Sequence, residues 1–167
     1  MSSNPYQAPQ TENTFSGDVP VKYGGFWIRV AASLIDTIWM MLLTTPLLMW
    51  MYGADYLASQ QLVHGPMEVV VNYVLPAIAV LVFWIYLSAT PGKLALNLYI
   101  TDARTGGRPS KGQLLGRYLC YYVSMIPLFL GFFWVGWDRR KQGFHDKLAG
   151  TVVVVGKPAW LQPDNRE

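Results

Sequence analysis

The sequence predicts an all-α membrane protein with two firm transmembrane helices, a third apolar segment and a small β element on the cytoplasmic side. Three observations carry this. Of 167 residues, 52% are hydrophobic and 14% charged, against roughly 25% charged in soluble domains. The apolar residues fall into three blocks, at about 25–50, 69–88 and 114–137, each near the ~20 residues that cross a ~30 Å hydrocarbon layer. Three such blocks are too much apolar length for the core of one small soluble fold. Finally, Lys and Arg are distributed unevenly between the connections.

The first 22 residues are rich in Pro, Gln, Asn, Ser and Thr. They cannot bury enough surface to offset ordering entropy, so they are expected to be a disordered tail. They lack the basic start and immediate apolar run of a signal peptide. Residues 23–156 form the transmembrane unit, and 157–167 a C-terminal tail.

Block one carries Arg29 and Asp36 in FWIRVAASLID. Block two follows a connection, YGADYLASQQLVHGPME, that contains no Lys or Arg. After block two, ATPGKLALNLYITDARTGGRPSKGQ contains Lys93, Arg104, Arg108 and Lys111. The positive-inside rule therefore places residues 52–68 outside and 89–113 in the cytoplasm, with a cytoplasmic amino terminus. Trp and Tyr near the block ends, such as Trp27, Trp50 and Trp137, fit interfacial belts.

Block three conflicts with that topology. A third full crossing would put Arg139, Arg140, Lys141, Lys147 and Lys157 outside. Pro127 lies near the middle of the block, where it removes an amide donor and clashes with the preceding turn. Two readings follow: a helical hairpin turning near Pro127, which returns the chain to the cytoplasm, or a kinked full span. LALNLYIT (94–101) and TVVVV (151–155) both read as strands. If they pair with each other they lie on one side, as the hairpin requires.

The ionisable residues inside the apolar blocks are the candidate site. Arg29 and Asp36 are seven residues apart, two helical turns or ~10.5 Å along one face, too far for a close direct pair. Arg29, near the helix end, can act as an interfacial anchor by snorkelling. Asp36, about two turns deeper, needs protein, water, a partner cation or a proton. Arg117 is the best-placed partner by depth, Lys93 the next, while Asn72 is too near the outer face. The cluster then serves either as a polar knot that fixes helix packing or as a cation or proton site.

These segments resemble the RDD family of membrane proteins, named for one arginine and two aspartates. FWIRVAASLID supplies Arg29 and Asp36; TPGKLALNLYITDARTGGRPS resembles the segment after the second span, and RRKQGFHDKLAGTVVV the closing segment. By this resemblance Asp146 is the second aspartate, with Asp102 the less favoured choice. The resemblance implies transport of unidentified ligands, with some members linked to cation/proton antiport.

The functional expectation is a cytoplasm-facing polar cavity lined by Arg29, Asp36, Arg117 and Asp146, with Lys93, His145 and Asp102 as secondary members. Asp36 is its proton- or cation-responsive group. The rival expectation is a non-transporting scaffold or assembly factor in which the same cluster is structural. His145 and Asp146 are adjacent, so on a helix they point about 100° apart and do not align as a catalytic dyad; no phosphate loop is present, and no enzyme is expected. One cysteine, Cys120, and two histidines exclude an internal disulfide and a recognisable metal cluster, and no cofactor is expected. The expected partners are the bilayer, with anionic headgroups near the basic loops, and further copies of the chain, since few helices are available to enclose a path; no nucleic acid is expected. The expected location is the cytoplasmic (inner) membrane.

Overall fold

The computed structural model describes residues 21–59, 61, 63–125 and 130–161. Residues 1–20 of the predicted 1–22 disordered tail, residues 162–167 of the C-terminal tail and Pro127 lie outside the described residues; Lys22, the end of that expected tail, is bonded to the sheet.

Two helices have the length and apolarity to cross a membrane: α1, Phe26–Tyr52, and α2, Pro66–Leu87. With 27 residues, α1 runs ~40 Å at 1.5 Å per residue. It passes through Pro46 without ending. Segment α2 contains a π-helical stretch, Val70–Val74, just ahead of Pro76. The wider turn accommodates a proline that cannot donate to the carbonyl one turn back. Most of the apolar surface of these helices is uncovered: Leu34 is 59%, Leu42 72% and Ile78 57% exposed. Such all-round apolar helices are solvated by lipid, not water.

Ser88, in the left-handed region at φ 53°, ends α2. The short helix α3, Pro91–Ala95, then starts with proline in its first turn, where the missing N–H costs nothing. Asn97, also left-handed at φ 53°, turns the chain into β1, Leu98–Asp102. The expected strand over 94–101 is thus corrected: Leu94 and Ala95 end a helix that Thr90-Pro91 initiates, Leu96 and Asn97 form a turn, and the strand begins at Leu98. β2, Thr151–Val155, pairs antiparallel with β1, Leu98 facing Val155 and Asp102 facing Thr151. A third, very short edge joins them: Gly24 donates to Val153 O at 2.9 Å, and Val155 donates to Lys22 O at 2.8 Å. That edge was not apparent in the sequence.

The sheet is buried on both faces. Leu98, Ile100 and Val153 pack with Ala32, Trp84 and Leu114, whereas Tyr99, Val152 and Val154 pack with Ala89, as side-chain alternation along strands requires.

The third apolar block is not one straight span. Helix α4, Lys111–Met125, is followed by α5, Leu130–Gly136, at a bend of 116°. The 15 residues of α4 reach ~22 Å, short of a ~30 Å core. α5 folds back against α4 at Gly131, where a β-carbon would lie 2.8 Å from Ser124 Cα. Helix α6, Phe144–Leu148, then packs on α4 and leads into β2. The start of α1, the end of α2, both strands and α6 consequently gather at one end of the molecule.

Candidate functional site

The predicted residues separate into two arrangements. The first centres on Asp146, which is completely buried. It sits in the first turn of α6, and its Oδ2 accepts from Gly143 N at 3.0 Å, which fixes the helix start. The same oxygen accepts from Arg29 Nη1 at 2.5 Å, and Oδ1 pairs with Arg117 Nη1. One carboxylate therefore ties α1, α4 and α6 together.

Arg29 is used fully. Its Nε donates to Gly24 O at 2.8 Å and its Nη2 to Lys141 O at 2.5 Å. The side chain is 11% exposed, so it is a three-way brace and not the snorkelling anchor its sequence position allowed. Arg117, 1% exposed, comes from the buried face of α4, where Leu114, Arg117, Tyr121 and Ser124 recur at helical spacing. Its Nη1 also donates to Thr151 Oγ1 at 2.8 Å. Burial alone would push the Asp146 carboxyl up, but Arg117 and then Arg29 outweigh it and hold the group well below the usual carboxylate range.

Asp36 belongs to the second arrangement, and the expected partnership with Arg117 or Lys93 is corrected. Its Oδ2 accepts from Thr90 Oγ1 at 2.5 Å and its Oδ1 from Gly92 N at 2.7 Å. α1 thus lends a carboxylate to the exposed amides that open α3, in the manner of a helix cap supplied from another element. The contact demands glycine: a β-carbon on Gly92 would lie 2.2 Å from Ala32 O and 2.9 Å from Asp36 Cγ. Backbone and hydroxyl donors, not a cation, satisfy this acid.

The secondary residues also fall into place. Asp102 organises the turn after β1, accepting from Arg104 N at 2.8 Å, Thr105 N at 2.9 Å and Gln113 Nε2 at 2.8 Å. His145 stacks on Tyr121, centroids 4.3 Å apart, and its Nδ1 lies 3.3 Å from Ser124 Oγ. Its Nε2 is 3.6 Å from Asp146 Oδ2, beyond good hydrogen-bond geometry. Burial drives its pKa down from 6.5 to about 3, Asp146 opposing and Arg117 reinforcing, so the ring is neutral. Of the basic residues near Asp146 in sequence, Lys147 pairs with Asp138 at 2.6 Å and Arg140 donates to Ala103 O at 2.5 Å.

A cavity of about 460 Å³ opens beside the Asp146 tie. Arg29, Lys93, Arg117, Tyr121 and His145 line its polar end, and Phe26, Val30, Leu34, Phe132, Phe133 and Val135 its apolar wall. Neither Asp36 nor Asp146 lines it. Lys93, expected as the second-choice partner of Asp36 and a secondary member of the cluster, lines this cavity instead of meeting Asp36.

The two long apolar helices, the folded-back third block and the buried charge tie define a polytopic membrane protein. A sequence model described as the RDD family matches residues 23–150. The chain belongs to that family. Uncharacterized protein RP437 of Rickettsia prowazekii (strain Madrid E) is 40% identical over 72 residues, which cover 43% of this chain and 39% of the relative. Uncharacterized protein YxaI of Bacillus subtilis (strain 168) is 30% identical over 152 residues, 80% of this chain and 97% of the relative. The chain thus spans 39% of the first relative's length and nearly all of the second's. No solved structure matches.

Proposed function

We propose that this chain is a non-catalytic membrane protein that binds and moves a small ligand through the basic cavity, and that protons and metal cations are not its cargo. The observation that carries the reading is the cavity lining: among the described residues, Arg29, Lys93 and Arg117 face it and no carboxylate does. A cation would enter against that field, while both candidate acids are spent on structural bonds. Under this reading the Arg29–Asp146–Arg117 tie is the static frame and Lys93 the ligand-facing charge. The pairing of β1 with β2 and the fold-back of α5 support a basic end that faces the cytoplasm of an inner membrane, with the amino terminus on the same side. Two long helices enclose little, so movement across the bilayer would take a second copy of the chain.

Proteoliposomes containing a trapped pH dye test this. A sodium or potassium gradient is expected to drive no protein-dependent proton movement, in wild type or in Asp36→Asn. Ion-driven proton movement that Asp36→Asn abolishes in a folded protein would overturn the proposal and make Asp36 the proton carrier. A scaffold is favoured by one observation, the complete burial of Asp146 among three elements; it requires that Lys93→Gln alter neither ligand binding nor movement.

A further inference from the structure

Lys93 is an unusual lysine. It is 6% exposed, and its ammonium lies 5.1 Å from the centroid of the Trp84 ring. Among the described residues, no hydrogen-bond acceptor or carboxylate lies in reach of it. Buried ammonium groups are normally paired, because removing a charge from water costs several kcal/mol that an aromatic face alone only partly offsets. Burial accordingly lowers the Lys93 pKa, with the neighbouring Arg117 and Arg29 adding to the effect and Tyr121 opposing it. Beside it, the Nε of Arg117 is buried without a partner. Among the described residues, the Lys93 charge and one N–H of the otherwise paired Arg117 guanidinium are thus left without a partner at one end of one cavity.

The charge balance is also incomplete. Arg29, Lys93 and Arg117 supply three positive charges, and His145 is neutral. Asp146 supplies one negative charge; even with Asp36 counted, one positive charge remains. An anion in the cavity would complete the balance.

The opposite wall decides what kind of anion. Along α1, Phe26 lies just before Arg29 and stacks on Phe133, while Val30 and Leu34 follow it with the small hydroxyl side chains Ser33 and Thr37 beside them; Phe132 completes this side of the lining. Leu34 remains 59% and Phe133 46% exposed, so the apolar wall runs out onto the surface that α1 presents to lipid. A free inorganic anion would leave that wall uncovered, whereas an amphiphile would use both ends. The volume lies within the ~300–1,000 Å³ range of ligand sites, and basic pockets between membrane helices suit lipid headgroups.

We infer that the cavity is a site for an anionic phospholipid, whose headgroup phosphate contacts Lys93 and Arg117 and whose acyl chain lies along Phe26, Val30 and Leu34. This rests on the reading of the cavity as the ligand site and names the ligand class. The headgroup answers the unpaired charge at the polar end, and the chain covers the wall.

The test is direct titration of the delipidated, detergent-solubilised full chain with phosphatidylglycerol, followed by native mass spectrometry and thermal unfolding. One saturable phosphatidylglycerol is expected, bound at least tenfold more tightly than phosphatidylcholine. Lys93→Gln is expected to weaken it at least tenfold, and Lys93→Arg to restore it. Lipid-free Lys93→Gln should melt no lower than wild type, because it removes an unpaired buried charge; a merely structural Lys93 would make it melt lower. Equal binding of the two lipids, unchanged binding by Lys93→Gln, or a lower melting point of that lipid-free variant would each overturn the inference. So would equal protection by inorganic phosphate, which would make this a soluble-anion site, or a preference for oleate, which would make it a carboxylate site. Ion-driven proton movement dependent on Asp36 would defeat the transport reading yet leave a specific lipid site standing.

Discussion

Replacing Asp146 with asparagine removes one charge and almost no volume, so it isolates what the carboxylate does. Asparagine can still accept from Gly143 N, but its amide turns a donor toward one of the two guanidinium groups that now contact the acid. Arg29 and Arg117, whose side chains are 11% and 1% exposed, would then face each other without an anion between them. Breaking a buried ion pair by removal of one partner costs ~3–5 kcal/mol. That is a large share of the ~5–15 kcal/mol that holds a typical domain together. At ~2–4 °C per kcal/mol for a chain of this size, the melting temperature in detergent should fall by about 10 °C. The pH dependence has a definite sign. The folded Asp146 carboxyl titrates below its ordinary value, so its stabilisation is fully present above the unfolded value of ~3.9 and is lost as pH falls through the lower folded value. The deficit of Asp146→Asn should therefore be constant between about pH 5 and 8. Adding Arg117→Met to Asp146→Asn should recover part of the loss, since the two sites share one interaction. An Asp146→Asn protein within ~0.5 kcal/mol of wild type would refute the claim that this tie holds the fold.

The other expectations are simpler. His145 binds its proton at 6.5 when unfolded but only near 3 when folded, so stability should drop as pH falls below 6.5, by up to ~1.4 kcal/mol per pH unit. Denaturant titrations at pH 7 and 5 should show that slope in wild type and its loss in His145→Gln; an unchanged slope would remove His145 as its source. Gly92→Ala should cost at least ~1–3 kcal/mol by forcing α3 off α1, whereas Gly116→Ala, with open space around its β-carbon, should be neutral or stabilising; thermal unfolding compares them. In a Cys120→Ser background, cysteines placed at Arg104 and Ala159 should react with an impermeant thiol reagent from the same side of the membrane, and one at Leu57 from the other.

The long helices were legible because apolar length is a property of contiguous residues. β2 was legible for the same reason: TVVVV is a strand over its whole run. The start of β1 is not legible in 94–101 itself: β-branched content favours a strand throughout, whereas the helix opened at Thr90-Pro91 and the left-handed Asn97 set the boundary. The depth of Asp36 in the first apolar block shows that it needs company, and basic side chains are the partners a sequence displays. The company came from a backbone amide and a hydroxyl, and main-chain donors carry no residue-type signal. Arg29 and Asp146 were both singled out, yet nothing local joins residues 117 positions apart. Lys93 was undervalued for a related reason: an uncompensated charge is visible only once every neighbour has been located.

The Gly24–Val153 edge bond and the Arg29–Asp146 pair both join the base of the first helix to segments more than a hundred residues further along the chain. During synthesis α1 leaves the ribosome well before the groups that lock its base, which are translated more than a hundred residues later. For most of its birth the first helix therefore stands with its arginine unanswered, free to adjust depth and tilt. Only when α6 and β2 arrive can that end become fixed, so contacts made far along the chain set the final position of the first helix.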